Sequence, residues 1–286
     1  MNAAFPFSPL VRELIRLALT EDLVGGDVTT DAIFCDGDQL EATLIAKEPL
    51  VLAGAPLAAA IFEEIDPQVE VTFDAPDGAR LDVGPFGTVR GRTLSVLRGE
   101  RVLLNFLRHL SGVATLTRRC VDALGDCGTR LVDTRKTTPG FRELEKYAVR
   151  MGGGANHRFN LAGGAMIKDN HIAAAGSIHA AVARVRAHAP FLIRIEVEVT
   201  TMGELEQALE AGADVVMLDN MTTAQMRDAV QVVAGRALVE ASGNITLGRL
   251  AELRDVGLDV ISSGALTHSA PNADISLRIL GPQEGA

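Results

Sequence analysis

The second half of the chain alternates between short apolar runs and stretches with helical periodicity. Six runs rich in β-branched residues follow residue 128, and we predict them as strands: Thr129–Asp133, Ala165–Asp169, Leu192–Val199, Ala213–Asp219, Ala237–Ala241 and Leu258–Ser262. Helices are expected between them near 174–188, 203–211, 223–234 and 246–255. Repeated strand and helix units predict a parallel sheet covered by helices, either doubly wound or curved into a barrel.

The first hundred residues show another pattern, in which short β-like pieces are separated by Gly and Pro. The predicted strands are Leu40–Ala46, Pro49–Ala53, Val69–Phe73 and Gly87–Leu97. Helices are expected at 8–22, at Pro56–Glu64 and from Glu100 onward, and Glu21–Thr30 is expected to be a turn-rich loop. This pattern predicts a small α+β domain.

Polar side chains end nearly every predicted strand of the second half. They are Asp133, Lys168, Asp169, Glu196, Glu198, Asp219, Asn220, Glu240, Ser242, Ser262 and Ser263. When all strands contribute to one site at their carboxyl ends, the geometry is that of a TIM-like barrel, whereas a doubly wound sheet concentrates such residues at its switch point. Because only six strands are clear, we predict an incomplete α/β barrel.

Composition narrows the class of protein. The chain has 286 residues, of which 47% are hydrophobic, and a net charge of -10. The first residues lack a signal-peptide pattern and no apolar run reaches the length of a membrane span, so we expect a cytoplasmic protein without a membrane partner. The three cysteines are too irregularly spaced for a disulfide framework or a zinc site and are expected to be reduced packing residues. The histidines show no paired-ligand spacing, so oxygen ligands are expected for any metal.

A basic segment lies within this acidic chain. From Arg130 to His171 there are eight Lys or Arg residues against four acidic ones. A small anionic ligand is therefore expected rather than nucleic acid, which needs a wide basic surface. The charged residues of 143–150 are interpreted as a solvated helix face. His171 has two open interpretations, a residue that begins a helix or a catalytic residue.

The strand Arg194–Val199 carries candidate metal ligands. A period of two places Glu196 and Glu198 on the face that points into the barrel. Glu198 together with Asp219 suits Mg²⁺, which prefers hard oxygen ligands and keeps some of its waters. Glu196 has the alternative interpretation of a buried acid neutralised by Arg194 or by a lysine.

Two Ser-Gly turns are candidates for a phosphate site. Ser242-Gly243-Asn244 and Ser263-Gly264-Ala265 each follow one of the last two predicted strands. Turns at these places in a barrel offer backbone N–H groups to phosphate.

The sequence closely resembles the quinolinate phosphoribosyltransferase family, also called nicotinate-nucleotide pyrophosphorylase (carboxylating). The resemblance spans almost the whole chain in order. It is carried by the segments EDLVGGDVTT (21–30), GERVLLNFLRHLSGVAT (99–115), DTRKTTPGFRELEKYAVRMGGGANHRFNL (133–161), IKDNHI (167–172), IEVEV (195–199), MLDNM (217–221), EASGNI (240–245) and ISSGALTHS (261–269). Ala162-Gly163-Gly164 departs from the family, which often has a bulkier acidic link there.

The resemblance implies an enzyme, a pentosyltransferase that joins quinolinate to phosphoribosyl pyrophosphate (PRPP). The products are nicotinate mononucleotide, pyrophosphate and CO2, the cofactor is Mg²⁺, and the pathway is NAD biosynthesis. The implied architecture is an N-terminal α+β sandwich domain, an incomplete TIM-like α/β barrel, and a homodimer with a shared active site. We expect the sandwich at 1–110, completed by 270–286, and the barrel at 111–269.

The resemblance also implies roles for individual residues. Residues implied for the quinolinate pocket are Arg101 from the neighbouring subunit, Arg135, Lys136, His157, Arg158 and Lys168. Residues implied for the metal, ribose and phosphate are Glu198, Asp219, Ser242, Gly243, Asn244, Ser263 and Gly264. The implied catalytic set is Lys136, Lys168, Glu198 and Asp219.

Three alternatives are weighed against this hypothesis. A phosphoribosyltransferase for another acid, such as nicotinate, should need fewer cations than a dicarboxylate does. A Schiff-base aldolase would place a lysine, Lys168 or Lys136, at a barrel strand end. A non-catalytic relative that binds an oxyanion or phosphate could lose Arg101, Arg135 and Arg158, all of which this chain has.

Overall fold

The structure, a computed structural model, describes residues 5–279. Its elements in chain order are α1 (Pro9–Leu23), α2 (Val28–Ile33), β1 (Gln39–Ala46), β2 (Leu50–Val51), α3 (Ala55–Ile65), β3 (Glu70–Phe73), β4 (Arg80–Leu81), β5 (Gly84–Arg92), α4 (Thr93–Leu124), β6 (Arg130–Val132), α5 (Arg142–Met151), β7 (Ala165–Ile167), α6 (Asp169–Ala175), α7 (Ile178–His188), β8 (Ile195–Val199), α8 (Met202–Glu210), β9 (Val215–Asp219), α9 (Thr223–Val233), β10 (Leu238–Ser242), α10 (Leu247–Leu253), β11 (Val260–Ser262), α11 (Ala265–His268) and β12 (Ile275–Arg278).

The described chain divides into two compact units. The first contains residues 5–118, 138–153 and 269–279, and the second contains 119–137 and 154–268. No helix within residues 5–279 has both the length and the apolar composition needed to cross a membrane.

The first unit is built on an antiparallel sheet with the strand order β12-β1-β5-β3. β12 comes from the end of the described chain and pairs with β1, with Ile275 opposite Ala46. The approach to β12 is close, because a Cβ at Gly112 would lie 2.0 Å from the carbonyl oxygen of Pro271. Part of the segment 270–286 thus adds a strand to the N-terminal sheet, while 280–286 lie outside the described residues.

Three predictions for the N-terminal region are wrong in detail. The strand predicted at Gly87–Leu97 ends at Arg92, and α4 begins at Thr93 instead of near Glu100. A strand would alternate buried and exposed side chains, but the four successive residues 93–96 are all buried. The Glu21–Thr30 stretch is not all loop, since the side chain of Asp27 accepts a hydrogen bond from the Thr30 N–H and begins α2.

The charged residues of α5 also differ from the expectation of a solvated face. Glu145 is 0% exposed and Lys146 is 2% exposed. The Glu145 carboxylate lies 2.8 Å from Nε2 of His109 and accepts a hydrogen bond of 3.1 Å from the Thr138 N–H. Because these partners satisfy the acid, it is tolerated in the interior of the first unit. Arg150 is exposed, as expected, with its guanidinium 5.7 Å from the ring centre of Tyr147.

The cysteines are free thiols, as predicted, but they do not share one environment. Cys120 is buried, and burial raises its pKa to about 11. Cys127 is half-buried. Cys35 is exposed, so the prediction that all three are packing residues is wrong for this one.

The second unit is a parallel sheet of six strands in the order β6-β11-β10-β9-β8-β7. From β7 to β11 the strands lie in chain order, and the first strand of the unit, β6, lies beside the last. This cyclic order is that of a barrel, because a doubly wound sheet reverses direction at a switch point. β6 and β7 end the sheet, so the barrel is incomplete and the predicted fold class is confirmed.

The helices of the second unit follow the predicted alternation, with one difference. The helix predicted at 174–188 is two helices, α6 and α7, separated at Gly176. Gly176 has a φ of 95°, which ends α6 in the left-handed conformation that glycine adopts readily. Capping hydroxyls of Ser177, Thr201 and Thr222 begin α7, α8 and α9.

Candidate active site

A cavity of about 630 Å³ lies at the carboxyl ends of the strands of the second unit. It brings together ten of the predicted site residues: Arg135, Lys136, His157, Arg158, Lys168, Glu198, Asp219, Ser242, Gly243 and Asn244. Thr134, Met166, Met217, Asn220, Glu240 and Ser262 complete its lining. The strand-end rule therefore located a real concentration of charged groups.

Arg101 and the Ser263-Gly264 turn are placed elsewhere. Arg101 lies on α4 and lines a cavity of about 410 Å³ in the first unit, together with Asn105 and His109. The Ser263 N–H donates a hydrogen bond of 3.0 Å to the carbonyl of Val132, and this bond joins the residue after β11 to β6.

Gly264 lies against the side chain of Lys136. A Cβ at position 264 would be 3.0 Å from Lys136 Cδ, and the Thr267 hydroxyl donates a hydrogen bond of 2.8 Å to the Lys136 carbonyl. The last turn of the unit thus positions the backbone and the stem of a predicted catalytic lysine.

Arg158 is fixed at one wall of the cavity. Its Nη1 donates a hydrogen bond of 2.8 Å to the carbonyl of Gly164, and its Nη2 lies 3.6 Å from the sulfur of Met166. Burial is the main cause that lowers the pKa of Arg158, and the positive charge of Arg135 lowers it further. Two cations at close range in a half-buried wall favour an anionic ligand between or beside them. The conformation of the Ala162-Gly163-Gly164 loop was uncertain from the sequence, and in the structure the loop is bound to this arginine through the Gly164 carbonyl.

A buried aspartate holds the loop that carries His157 and Arg158. Asp133, 0% exposed, follows β6 and accepts hydrogen bonds from the side-chain amide of Asn156 at 2.6 Å and from the His157 N–H at 3.0 Å. Sequence reasoning noticed Asp133 only as a strand-end acid. Its role becomes visible once β6 and the loop are adjacent, at the bridge between Val132 and Ala155.

A cluster of His157, Glu196 and Glu240, which we call the floor cluster, lies at the buried end of the cavity. His157 Nε2 is 3.3 Å from Glu196 Oε2 and 3.5 Å from Glu240 Oε2, and both glutamates are buried. His157 Nδ1 accepts a hydrogen bond of 2.7 Å from the Arg158 N–H. Glu196 is therefore paired with a histidine, and not with Arg194 or a lysine as the alternative interpretation had it. The sequence hid this cluster because its members are far apart along the chain.

The floor cluster has the ligand types of a metal site, since its three ligand atoms lie within 4.8 Å of one another. The tautomer argues against a cation there. Because Nδ1 accepts the Arg158 N–H, the ring proton is on Nε2, directed at the two carboxylates, so Nε2 has no lone pair for a metal.

The floor cluster holds an additional proton. Burial lowers the pKa of His157, but hydrogen bonds to Glu196 and Glu240 raise it by more, to about 9. Burial also raises the pKa of Glu196. Both shifts favour a proton that His157 and Glu196 share.

Lys168 and Glu198 form an ion pair at the open end of the cavity. The Lys168 ammonium donates to Glu198 Oε2 at 2.5 Å, and the two side chains are 45% and 16% exposed. Lys168 precedes α6, and its N–H donates to Nδ1 of His171 at 3.0 Å. This geometry supports His171 as a residue that begins a helix.

The Ser242-Gly243-Asn244 turn lies beside Asp219. Gly243 and Asn244 both have positive φ angles, of 93° and 50°. Hard oxygen donors from Glu198, Asp219 and this turn line the same cavity, and such a donor set suits Mg²⁺.

Comparison with known proteins identifies the family of the chain. Residues 27–111 match the family model described as the N-terminal domain of quinolinate phosphoribosyl transferase, and residues 113–278 match the model of its C-terminal domain. A protein named probable nicotinate-nucleotide pyrophosphorylase (carboxylating) from Bacillus subtilis is 43% identical over 271 residues, which cover 94% of this chain and 93% of that protein.

Solved structures agree with the sequence comparisons. The crystal structure of NadC from Streptococcus pyogenes superposes with a TM-score of 0.91 at 44% identity, covering 97% of this chain and 100% of that one. The nicotinate-nucleotide pyrophosphorylase from Francisella tularensis gives a TM-score of 0.92 at 36% identity, covering 98% and 100%. The chain belongs to the quinolinate phosphoribosyl transferase family.

Proposed function

We infer that the chain transfers the phosphoribosyl group of PRPP to quinolinate with loss of CO2. The products are nicotinate mononucleotide and pyrophosphate, and the reaction belongs to NAD biosynthesis. One observation carries this function beyond family membership. The cavity of the second unit combines several cations with carboxylates and a positive-φ turn, which are the groups that a dicarboxylate, a ribosyl cation and a phosphate require.

The cationic wall suits the two adjacent carboxylates of quinolinate. We propose that Arg135 and Arg158 bind them through their planar guanidinium groups, which match carboxylate geometry. Lys136 adds a point charge beside them, and its backbone is held by Thr267. Burial is the main cause of the lowered pKa of Arg158, and the nearby charge of Arg135 contributes, which agrees with two cations on one wall of the cavity.

Glu198 and Asp219 are proposed to act on the ribose side. As the bond from the ribosyl carbon to pyrophosphate breaks, that carbon gains positive charge, and carboxylates nearby stabilise it. The leaving phosphate groups are proposed to bind at the turn of Ser242, Gly243 and Asn244. In the second predicted turn, at Ser263 and Gly264, the Ser263 N–H is already hydrogen-bonded to the Val132 carbonyl.

The same carboxylates would hold Mg²⁺, in part through water, and the ion supplies positive charge beside the leaving pyrophosphate. The fit has one feature that the sequence did not show. Glu198 Oε2 is already paired with Lys168, so Asp219 would be the carboxylate more available to hold the ion.

Decarboxylation follows the formation of the new bond to the ring nitrogen. The bond between the ring carbon and its carboxylate breaks, the carboxylate leaves as CO2, and the electron pair stays on the ring carbon. The adjacent quaternary nitrogen stabilises this pair until a proton is added. No covalent bond to the protein is required, so a Schiff base at Lys168 or Lys136 is not part of the proposal. Borohydride treatment with substrate should trap no adduct.

We propose a homodimer in which Arg101 of one subunit completes the quinolinate pocket of the other. In support, Arg101 lines an open cavity of the first unit, and the apolar residues Leu10, Leu17 and Val24 on and after α1 are exposed. Arg101→Ala and Arg135→Ala should each be inactive, and mixing them should restore part of the activity. No restoration, with subunit exchange demonstrated, would exclude a shared site.

The test of the function is an assay with quinolinate, PRPP and Mg²⁺ for nicotinate mononucleotide and CO2. Equal turnover of nicotinate would favour the alternative of a phosphoribosyltransferase for another pyridine acid. Binding of both substrates without product would favour the non-catalytic relative. The cytoplasmic location expected from the sequence stays a prediction.

A further inference from the structure

Asn220 lies between two parts of the cavity that have separate proposed roles. It directly follows Asp219 at the end of β9 and has a φ of 54°. Its side-chain Nδ2 donates a hydrogen bond of 2.8 Å to Asp219 Oδ2, and its Oδ1 accepts one of 3.2 Å from Asn244 Nδ2. Its backbone N–H donates to the carbonyl of Ser242 at 3.1 Å. One residue therefore contacts both the predicted metal ligand and the predicted phosphate turn.

The phosphate turn is shaped around this amide. Gly243 has a φ of 93°, and a Cβ at this position would lie 2.2 Å from Asn220 Oδ1. That distance is too short for any side chain, so the glycine allows the backbone of the turn to approach the amide closely. The packing and the hydrogen bonds thus give two independent indications that the two segments are positioned together.

The chemistry of the position selects a carboxamide. The amide donates to the Asp219 carboxylate through Nδ2 and accepts from Asn244 through Oδ1, at two separate atoms and without a charge of its own. An aspartate would place a second negative charge against Asp219, and an alanine would lose both hydrogen bonds. Asparagine also tolerates the left-handed backbone better than other residues with a side chain.

We propose that Asn220 is a positioning residue that couples the orientation of the Asp219 carboxylate to the conformation of the Ser242–Asn244 turn. Through this link the binding of magnesium and of the phosphate groups of PRPP is cooperative, while quinolinate binding is independent of it. The proposal rests on the proposed function, because it takes PRPP and Mg²⁺ as the ligands of these two segments.

The test compares Asn220→Ala with Asn220→Gly by calorimetric titration. Glycine accepts the positive φ without strain and still lacks the amide, so it separates the hydrogen bonds from the backbone conformation. Both variants should bind PRPP in the presence of Mg²⁺ about 10-fold more weakly, as expected for two lost hydrogen bonds. Both should bind quinolinate within about 2-fold of wild type. Asn272→Ala, at an exposed asparagine of the first unit, is the matched control and should change neither affinity.

Coupling is tested by adding Asn244→Ala. The side chains of Asn220 and Asn244 share a hydrogen bond, so their losses should not multiply. The variant that carries both substitutions should bind PRPP only about 2-fold more weakly than the single variant with the lower PRPP affinity. Fully multiplicative losses would overturn the proposal, and so would wild-type affinity in Asn220→Gly or an equal loss of quinolinate binding. A wild-type protein that binds quinolinate but no PRPP would overturn the proposed function itself, whereas normal wild-type binding with an unaffected Asn220→Gly overturns only the coupling.

Discussion

Two glutamates on the same face of β8 have different environments. Glu196 lies in the floor cluster, buried with His157 and Glu240, and Glu198, two residues later, lies at the open end paired with Lys168. The side-chain direction is the same, so depth in the barrel decides the difference. A buried acid needs hydrogen-bond partners in the interior, whereas an acid at the open end beside a lysine can reach a ligand. We therefore expect substitutions at the open end of the cavity to lower kcat, and substitutions in the floor cluster to lower the free energy of unfolding.

The largest effect is expected at the open end. Glu198→Gln removes the charge that stabilises the ribosyl cation, and kcat should fall about 1000-fold, while the melting temperature changes by less than about 2 °C. Steady-state kinetics and thermal unfolding measure the two. Glu196→Gln is the matched control on the same strand face, and an equal loss of kcat there would contradict the division into floor and open end.

The next effect is expected in the floor cluster. His157→Ala leaves two buried carboxylates without their shared donor, and the free energy of unfolding should fall by about 3 kcal/mol. Denaturant unfolding followed by circular dichroism measures the loss. His179→Ala, at a half-exposed histidine of α7, is the control and should cost less than about 0.5 kcal/mol. A small loss at His157 would show that the cluster does not stabilise the unit.

A smaller effect is expected at the cationic wall. Arg158→Lys keeps the charge but loses the planar fork and the hydrogen bond to the Gly164 carbonyl. The KM for quinolinate should rise about 10-fold while the KM for PRPP stays within about 2-fold. Initial rates at saturating concentrations of the other substrate separate the two values. An increase confined to the KM for PRPP would indicate that Arg158 binds the phosphate groups of PRPP and not quinolinate.

The smallest effect is the pH dependence of the floor cluster. The folded state raises the pKa of His157 from 6.5 to about 9, so the stabilisation is complete below pH 6.5 and is lost as the pH rises through 9. The melting temperature should decline over this range, and thermal unfolding at a series of pH values measures the decline. Glu240→Gln removes one of the two negative charges beside His157 and lowers that pKa, so the decline in this variant should occur at lower pH. Identical pH profiles would show that Glu240 does not raise the pKa of His157.

The barrel could be predicted because the period of the hydrophobic pattern and the polar residues at strand ends are local properties of the sequence. The alternation along 194–199 placed Glu196 and Glu198 on one face, and polar strand ends located the cavity. The start of α4 could not be predicted in the same way, because Thr93-Leu94-Ser95-Val96 continues the polar and apolar alternation of the strand although all four residues are buried in the helix.

The floor cluster and the link through Asn220 could not be predicted because they depend on which strands are neighbours. Glu196 and Glu240 lie on β8 and β10, with β9 between them, and both reach one histidine from a loop after β6. Glu145 and Lys146 show the same limit, since a charged pair on a helix is predicted as exposed unless its buried partners are known.

The central claim is that decarboxylation follows transfer in one cavity, and a labelled substrate tests it most directly. Quinolinate labelled in the carboxyl group next to the ring nitrogen should release labelled CO2 only when PRPP and Mg²⁺ are present, in equal amounts with nicotinate mononucleotide. Glu198→Gln should reduce both products together. Release of labelled CO2 without PRPP, or nucleotide that retains the label, would contradict the account.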